Sequence, residues 1–476
     1  MPSNADQQIW EREQAFMKEE RKKRPELFVI DPAKMVNLME RIGVTAQPPG
    51  LPQGYMRYSP LDFLVEEIDG GGKVVEIAAS PEDGMQIDPY TGTVWADLVK
   101  VMISTLDAVQ RISDALRVGT DKVRYAGIKD AVAVTGQRIS IRGVKLDSVK
   151  AANIPNVLLK NLYEGKGAMN IGDLKGNRFT LFVRTGPDFD QDIFRSHMAI
   201  IADEGVINYY GEQRFGSPRF LAHGGGLHLF RGDFEAAVKS YLTMPSPFEI
   251  PFIAEIRARA AAKYGDWAAM GREMERLPYS FRYEITMLRE LLEPKGVDKW
   301  VSTLASVSQQ SSLWAYAYAS YLTNVLLSDW ASRKVEPPAE VPLLLSQDPD
   351  VAQLYMQWLE ADGTSGYAEN LKKLPFIMFG KSPSIPAKVK ANVLGAKVVP
   401  EGAVVSFELP KAAYATTILR NLFTIIGGLP LPPWLKKTEY DTKELLGSGS
   451  IADVRARFAK EIEEAVKQKG VDAAAE

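Results

Sequence analysis

Residues 125–137 read Tyr-Ala-Gly-Ile-Lys-Asp-Ala-Val-Ala-Val-Thr-Gly-Gln, which sets a carboxylate, Asp130, beside an ammonium, Lys129, on a glycine-containing turn. A strand-like run, Arg-Ile-Ser-Ile-Arg, follows at once at 138–142. A carboxylate on a short turn between ordered elements can be held at a fixed distance from a substrate atom, as covalent and acid/base catalysis both require. Asp130 is the catalytic candidate on that ground, although Asp also favours turns simply by accepting from nearby backbone N–H groups. Few other groups compete for a chemical role. The chain has no cysteine, which excludes disulfides, thiolate metal sites and a cysteine nucleophile. Its histidines, His197, His223 and His228, are too few and too unevenly spaced for a metal cluster and read as structural. Gly224-Gly225-Gly226 lacks the Lys-Ser/Thr of a phosphate-binding loop. Glu66 and Glu67 are neighbours on a predicted strand, so they point to opposite faces and cannot flank one glycosidic bond.

The elements that must position Asp130 follow from hydrophobic periodicity. Residues 63–68, 123–125, 137–141 and 179–183 carry the alternating or short apolar runs of strands. Trp95, Leu98, Met102, Leu106, Val109, Ile112 and Leu116 recur every three or four residues, which predicts one amphipathic helix ending near Gly119. After Arg219 the texture turns helical, with apolar residues at helical spacing over 233–243, 254–263, 266–276, 283–292 and 311–327. Strand character returns at 404–409, a helical 415–426 follows, and Leu-Pro-Leu-Pro-Pro at 429–433 breaks the pattern. Residues 6–27 mix charges around Trp10, Phe16 and Met17 and predict a surface helix. The fold class expected is α+β, a mixed sheet interrupted by an α-rich insertion.

The segment around Asp130 resembles the signature of the TruD family of pseudouridine synthases, Gly-x-Lys-Asp-x-x-Ala-Val-Thr-x-Gln, with every fixed position present. Further stretches resemble the same family in the same order. Residues 57–67, Arg-Tyr-Ser-Pro-Leu-Asp-Phe-Leu-Val-Glu-Glu, look like its opening strand motif, and 176–179, Gly-Asn-Arg-Phe, like its Gly-Asn-x-Phe element. Residues 208–216, Asn-Tyr-Tyr-Gly-Glu-Gln-Arg-Phe-Gly, are nearly word for word a family block, and 320–324, Ser-Tyr-Leu-Thr-Asn, are similar to another with Thr323 in place of an aromatic. Residues 407–420 resemble the closing motif, with Ala412 and Ala413 where Gly and Ser are usual. Arg57 stands for the lysine usual in bacterial members and Tyr210 for a phenylalanine. The closing Tyr-Ala-Thr and the Tyr-Tyr-Gly-Glu-Gln-Arg block look closer to archaeal than to bacterial members.

The resemblance covers roughly residues 50–425 and implies a pseudouridine-synthase-type catalytic domain with a mixed, largely antiparallel sheet, interrupted by an α-rich insertion. The boundaries expected are a charged helical extension at 1–45, catalytic domain at 46–225 and 399–440, insertion at 226–398, and a charged helical tail at 441–476. The chemistry implied is isomerisation of a tRNA uridine, by family precedent position 13 of the D arm, to pseudouridine. Asp130 is the implied catalytic group, with Arg57 and Lys129 as the cations that stabilise its anion. Tyr210 and then Phe63 are the aromatic faces for an extruded base. Asn208 would bond the uracil edge, and Gln213 and Arg214 would brace the loop or touch phosphate. Nothing in this isomerisation demands a cofactor or a metal. The alternative is a tRNA-binding or RNA-chaperone protein without turnover on the same scaffold.

Composition sets the remaining bounds. A chain of 476 residues, 46% hydrophobic and 25% charged, fits a globular protein of more than one domain. No run of eighteen uncharged apolar residues occurs and the first 26 residues are polar, so no membrane partner and cytoplasmic residence are expected. Net charge is −3, but its distribution is uneven. Residues 121–145 hold six basic side chains (Lys122, Arg124, Lys129, Arg138, Arg142, Lys145) against Asp121 and Asp130, whereas 335–371 are acidic and contain no Lys or Arg. Such segregation leaves a basic face for phosphates despite an acidic total.

Overall fold

Alternation along 63–69 sends Phe63 and Val65 to one side and Leu64 to the other, and the strand they form lies at the centre of a ten-stranded mixed sheet. The computed structural model describes residues 4–30, 38–46, 48, 50–78, 92–380, 383–411, 413–428 and 431–473. Ala412 of the closing motif and Leu429 and Pro430 of the Pro-rich break lie outside the described residues. The chain divides into two compact units, Met1–Gln47 with Ile207–Lys388, and Pro48–Val206 with Val389–Glu476. The divisions thus fall near 206 and 388, where the sequence suggested 225 and 398, and residues 441–473 belong to the sheet unit.

In the sheet unit, β1 (Gln53–Met56), β2 (Phe63–Asp69), β3 (Thr93–Val101), β4 (Val123–Tyr125), β5 (Val134–Arg142), β6 (Val157–Glu164) and β7 (Leu174–Thr185) are joined by Asn392–Val399, Gly402–Pro410 and Thr424–Ile426. The order is Asn392–Val399, Gly402–Pro410, β7, β2, β5, β3, β6, with β4 on β5 and β1 bridging β7 and Thr424–Ile426. Most pairings are antiparallel, but β2 and β5 run parallel, with Leu64 opposite Val134 and Glu66 opposite Gly136. Gly136 is required there: a Cβ would lie 2.4 Å from the Val75 carbonyl oxygen. On one face, Phe63, Val65, Phe179, Leu181 and Phe407 pack with Phe194, Met198 and Ile201 of the helix Gln191–Asp203. On the other, Leu64, Val99 and Val134 pack with Ile451, Val454, Phe458 and Ile462 of the C-terminal segment.

Two elements differ from the sequence reading. Residues 95–101 are not the first half of a helix but the strand β3, and only Thr105–Leu116 is helical, with Ser104 as its N-cap. Because β3 lies between β5 and β6 and is buried on both faces, its apolar residues need not alternate, and Trp95 and Leu98, with Met102 just past the strand, mimic helical spacing. Likewise 415–426 splits into the helix Ala415–Leu419 and the strand Thr424–Ile426, where Leu422 and Phe423 turn into the core and Thr-Ile-Ile pairs with β1.

The other unit is helical, around the 25-residue helix Ser308–Ser332. Asp233, Asp266, Asp298 and Asp348 cap its helices with side-chain acceptors. The glycine run 224–226 lies inside the helix Ala222–Arg231, where a Cβ on Gly226 would sit 2.1 Å from the Trp314 carbonyl oxygen. It is a device for close helix packing. In the sheet unit, Phe458→Ala is expected to destabilise by roughly 3–5 kcal/mol, since the ring is 3% exposed in the core beneath β2 and β5. Urea unfolding followed by circular dichroism checks it; a midpoint unchanged from wild type contradicts the packing described.

Candidate functional site

Parallel neighbours begin at the same edge of a sheet, so the segments leading into β2 and β5 meet there. Arg57, ahead of β2, and Asp130, ahead of β5, are 73 residues apart in sequence, yet Arg57 Nη2 donates to Asp130 Oδ1 at 2.8 Å. Both side chains are partly open to solvent, 26% and 28% exposed. The Arg57 guanidinium lies 4.0 Å from the centroid of the Phe63 ring, a cation–π contact that fixes its plane. Arg57 itself has φ of +61°, a left-handed conformation that a non-glycine residue holds only where its surroundings impose it. Directly after it, Ser59 and Asp62 form a capping box around Pro60–Asp62, and Asp62 receives Arg184 Nη2 at 2.8 Å and Nε at 3.1 Å.

Beneath the turn, buried polar groups hold its backbone. Gln137 Nε2 donates to the Gly127 carbonyl at 3.1 Å, Thr105 Oγ1 donates to Gln137 Oε1 at 3.2 Å, and the Lys129 N–H donates to Thr105 Oγ1 at 2.9 Å. Lys100 of β3, fully buried, donates from Nζ to the Asp130 carbonyl at 2.5 Å and to the Ile103 carbonyl at 2.8 Å. Burial pushes the Lys100 ammonium down to about 8, with Lys129 adding repulsion and Asp130 and Asp107 opposing the shift. The motif residue Gln137, together with Thr105 from outside the motif, thus acts on the backbone that carries Asp130. Lys100, Thr105 and Glu67 went unrecognised in the sequence, since nothing local marks a strand lysine as reaching a distant turn.

Lys129 does not face the Asp130 carboxylate. Its Nζ lies 2.6 Å from Glu67 Oε2, with the two side chains 4% and 0% exposed. Burial raises the Glu67 carboxyl, and Lys129 and the Arg138 N–H oppose that shift. Of the two cations the sequence offered, Arg57 engages the carboxylate and Lys129 anchors the turn from below. Glu66 points the other way, 2.6 Å from Lys443 Nζ, as strand alternation requires. Among the six basic residues of 121–145, Lys129 and Arg138 are spent internally, Arg138 Nε standing 2.5 Å from Asp97 Oδ1; Lys122, Arg124, Arg142 and Lys145 are exposed.

The aromatic faces also differ from expectation. Phe63 is 2% exposed, covered by Arg57 on one face and by the edge of Phe179, so it supports the cation and presents no open face. Asn208, Tyr210, Gln213 and Arg214 belong to the helical unit. There Tyr210 is 7% exposed with the Arg214 guanidinium 5.1 Å from its ring centroid, and Gln213 is exposed. Asn324, last residue of the Ser-Tyr-Leu-Thr-Asn phrase, explains that phrase: its side chain accepts from the Tyr210 N–H at 2.8 Å and donates to the Tyr210 carbonyl at 3.0 Å. Asn208 Nδ2 donates to the Pro386 carbonyl at 2.9 Å. His223 stacks on Tyr321, centroids 5.3 Å apart, and burial holds it neutral by pushing it to about 4. Among the described residues no group of three His, Cys, Asp or Glu is placed to hold a metal ion, and no helix is long and apolar enough to cross a membrane.

Comparison with known proteins gives these observations a context. Residues 44–345 match the family model for tRNA pseudouridine synthase D (TruD). The chain is 27% identical over 381 residues to the probable tRNA pseudouridine synthase D 1 of Methanocaldococcus jannaschii, covering 77% of this chain and 95% of that one. It is 30% identical over 337 residues to the probable tRNA pseudouridine synthase D of Methanopyrus kandleri, covering 67% and 82%. A crystal structure carrying the TruD name, from Methanosarcina mazei, superposes with a TM-score of 0.63 over 81% of this chain and 97% of that one at 21% identity, which shows the fold.

Two outcomes follow from the buried charges. Lys129→Met strands the Glu67 carboxylate and is expected to cost roughly 3–5 kcal/mol, part of which Glu67→Gln in the same chain restores; chemical denaturation of the single and double variants checks it. Lys100 has a folded pKa depressed below its unfolded one. From about pH 8, where it loses its proton in the fold, up to 10.5, its ordinary value, the unfolded chain binds a proton that the folded chain does not. Wild-type stability relative to Lys100→Met is therefore expected to rise between pH 8 and 10.5. Paired urea titrations at the two ends of that window test the sign.

Proposed function

The chain belongs to the TruD family of tRNA pseudouridine synthases, and from that premise we propose that it converts a uridine at position 13, in the D arm of tRNA, to pseudouridine with Asp130 as the catalytic carboxylate. The observation that carries the reading is a solvent-reaching carboxylate, oriented by Arg57 at 2.8 Å, on a turn whose backbone is held by Lys100, Thr105 and Gln137. Such a group has a fixed position without being shut away from substrate.

In the reaction the N1–C1′ bond of uridine breaks, the uracil turns over, C5 bonds to C1′, and the proton lost from C5 balances the one gained at N1. No oxidant, phosphoryl donor or other co-substrate enters. With Oδ1 engaged by Arg57, Oδ2 is the atom assigned to the substrate, as nucleophile at C1′ or C6 or as the base for a ribose proton. The uridine leaves its stack to reach it, at a cost of a few kcal/mol that is lower in a loop. Arg57, held flat by Phe63, orients the carboxylate and is the first cation an incoming phosphate or uracil carbonyl meets. Exposed Lys122, Arg124, Arg142 and Lys145 supply backbone attraction. From the helical unit, Asn208, Tyr210, Gln213 and Arg214 are assigned to RNA contact, Tyr210 with Arg214 as a stacked aromatic–guanidinium pair.

The test is incubation of purified protein with unmodified tRNA transcripts, without added metal or cofactor, followed by carbodiimide primer extension. Pseudouridine is expected at position 13. Asp130→Asn is expected to lower the rate by on the order of 10³ or more while tRNA affinity is unchanged. Modification at another uridine overturns the target assignment alone. Binding with no pseudouridine across a broad tRNA pool overturns the catalytic reading in favour of a non-catalytic tRNA-binding protein.

A further inference from the structure

The C-terminal helix Ala459–Ala473 lies beyond residues 44–345, the span that matches the family model, yet it reaches the segment that supplies Arg57. Phe458 and Ile462, 3% and 4% exposed, pack into the core with Leu61 and Leu64, which follow Arg57 into β2. One helical face further along, Lys469 Nζ donates to the main-chain carbonyl of Arg57 and lies 5.8 Å from the centroid of the Tyr55 ring. The ammonium sits in an unfavourable place for a cation. Burial lowers its pKa, Arg57 and Arg184 repel it, and Asp62 is the anion that compensates. A lysine put there gains from the carbonyl and the aromatic face that it fills.

The carbonyl it fills belongs to a residue with φ of +61°. A non-glycine residue in that conformation is strained and persists only where neighbours over-determine it. On the side-chain side, Asp130 and Phe63 hold Arg57; on the main-chain side, Lys469 does.

We propose that Lys469 is a positioning residue for the isomerisation, holding the Arg57 backbone in its left-handed conformation so that the guanidinium meets Asp130 Oδ1. This rests on the reading of Asp130 as the catalytic carboxylate. Lys469 touches neither Asp130 nor, in this proposal, the RNA, and it acts through Arg57 alone.

The test compares wild type, Lys469→Met, Lys469→Arg, Arg57→Ala and the Arg57→Ala/Lys469→Met double variant in multiple-turnover pseudouridine formation on the tRNA transcript, with Asp130→Asn in parallel. Lys469→Met is expected to lower kcat tenfold to a hundredfold, on the order of a misplaced catalytic group, with KM for tRNA unchanged. Lys469→Arg is expected to restore most of the loss, and Lys469→Met to add nothing once Arg57 is alanine. Full turnover in Lys469→Met, or the same proportional loss with and without the Arg57 side chain, overturns the proposal, the second result marking a merely structural role. Turnover that survives Asp130→Asn overturns the reading of Asp130 itself, whatever Lys469→Met does.

Discussion

The parallel pairing of β2 with β5 is the constraint on which the site depends. In a sheet built mostly of antiparallel neighbours, a hairpin would place the start of one strand beside the end of the next. Arg57 and Asp130 would then be separated by a strand's length, about 3.3 Å for each residue. The parallel register, Leu64 opposite Val134, brings both strand starts to one edge. Parallel strands cannot be joined by a tight turn, and the connection here is long enough to contain β3, the helix Thr105–Leu116 and β4. That same connection delivers Lys100 and Thr105 to the underside of the Asp130 turn. The crossover that the topology requires is therefore also the source of the groups that hold the Asp130 backbone.

Strand β2 and the turn before it carry three buried carboxylates, and each meets a cation from a different part of the chain: Asp62 with Arg184 of β7, Glu66 with Lys443 of the C-terminal segment, Glu67 with Lys129 of the site turn. Burial raises all three carboxyls and the cations oppose the shift. Desolvation offsets much of the attraction in such pairs, so their net contribution to stability is small or even negative beside an apolar replacement. Their physical effect is on register. A slip of β2 by one residue would exchange the faces of Glu66 and Glu67, turning each carboxylate away from its cation and leaving buried charges unpaired. An apolar strand would pay a smaller penalty for the same slip. The ion pairs make one alignment of β2 and β5 the only tolerable one, and that alignment sets the distance between Arg57 and Asp130.

Sequence reading succeeded where the physics is local. The Asp130 turn, β4, and the Asp-capped helices at 233 and 266 each carry their signal within a few residues. It failed where burial or distance decides. β3 is covered on both faces, so its side chains lose the alternation that identifies a strand. Lys129 stands next to Asp130 in sequence, and nothing in that adjacency says that one side chain faces solvent and the other a glutamate in the core. Phe63 was legible as an aromatic near the site but not as a ring already covered by a guanidinium. Lys443 read as one charge in a charged tail, whereas it is 1% exposed between Glu66 and Glu76.

The whole-chain charge of −3 says little about the field at the Asp130 carboxylate. Around the turn Arg57, Lys100, Lys129 and Lys469 stand against Asp130, Glu67 and Asp107, four positive and three negative, a local balance of +1. Lys129 and Glu67 are buried together and largely cancel, which leaves Asp130 between Arg57 at its side chain and Lys100 at its backbone. A lone carboxylate would repel any anion that approached it. One flanked by a cation above and a buried cation below presents a nearly neutral or positive face. The buried ammonium, close to its own titration point near pH 8, contributes that positive potential at neutral pH without exposing a charge that phosphate could capture. Arg57 carries the part-exposed share beside the carboxylate, so the positive field there and the bond that orients Asp130 reside in one side chain.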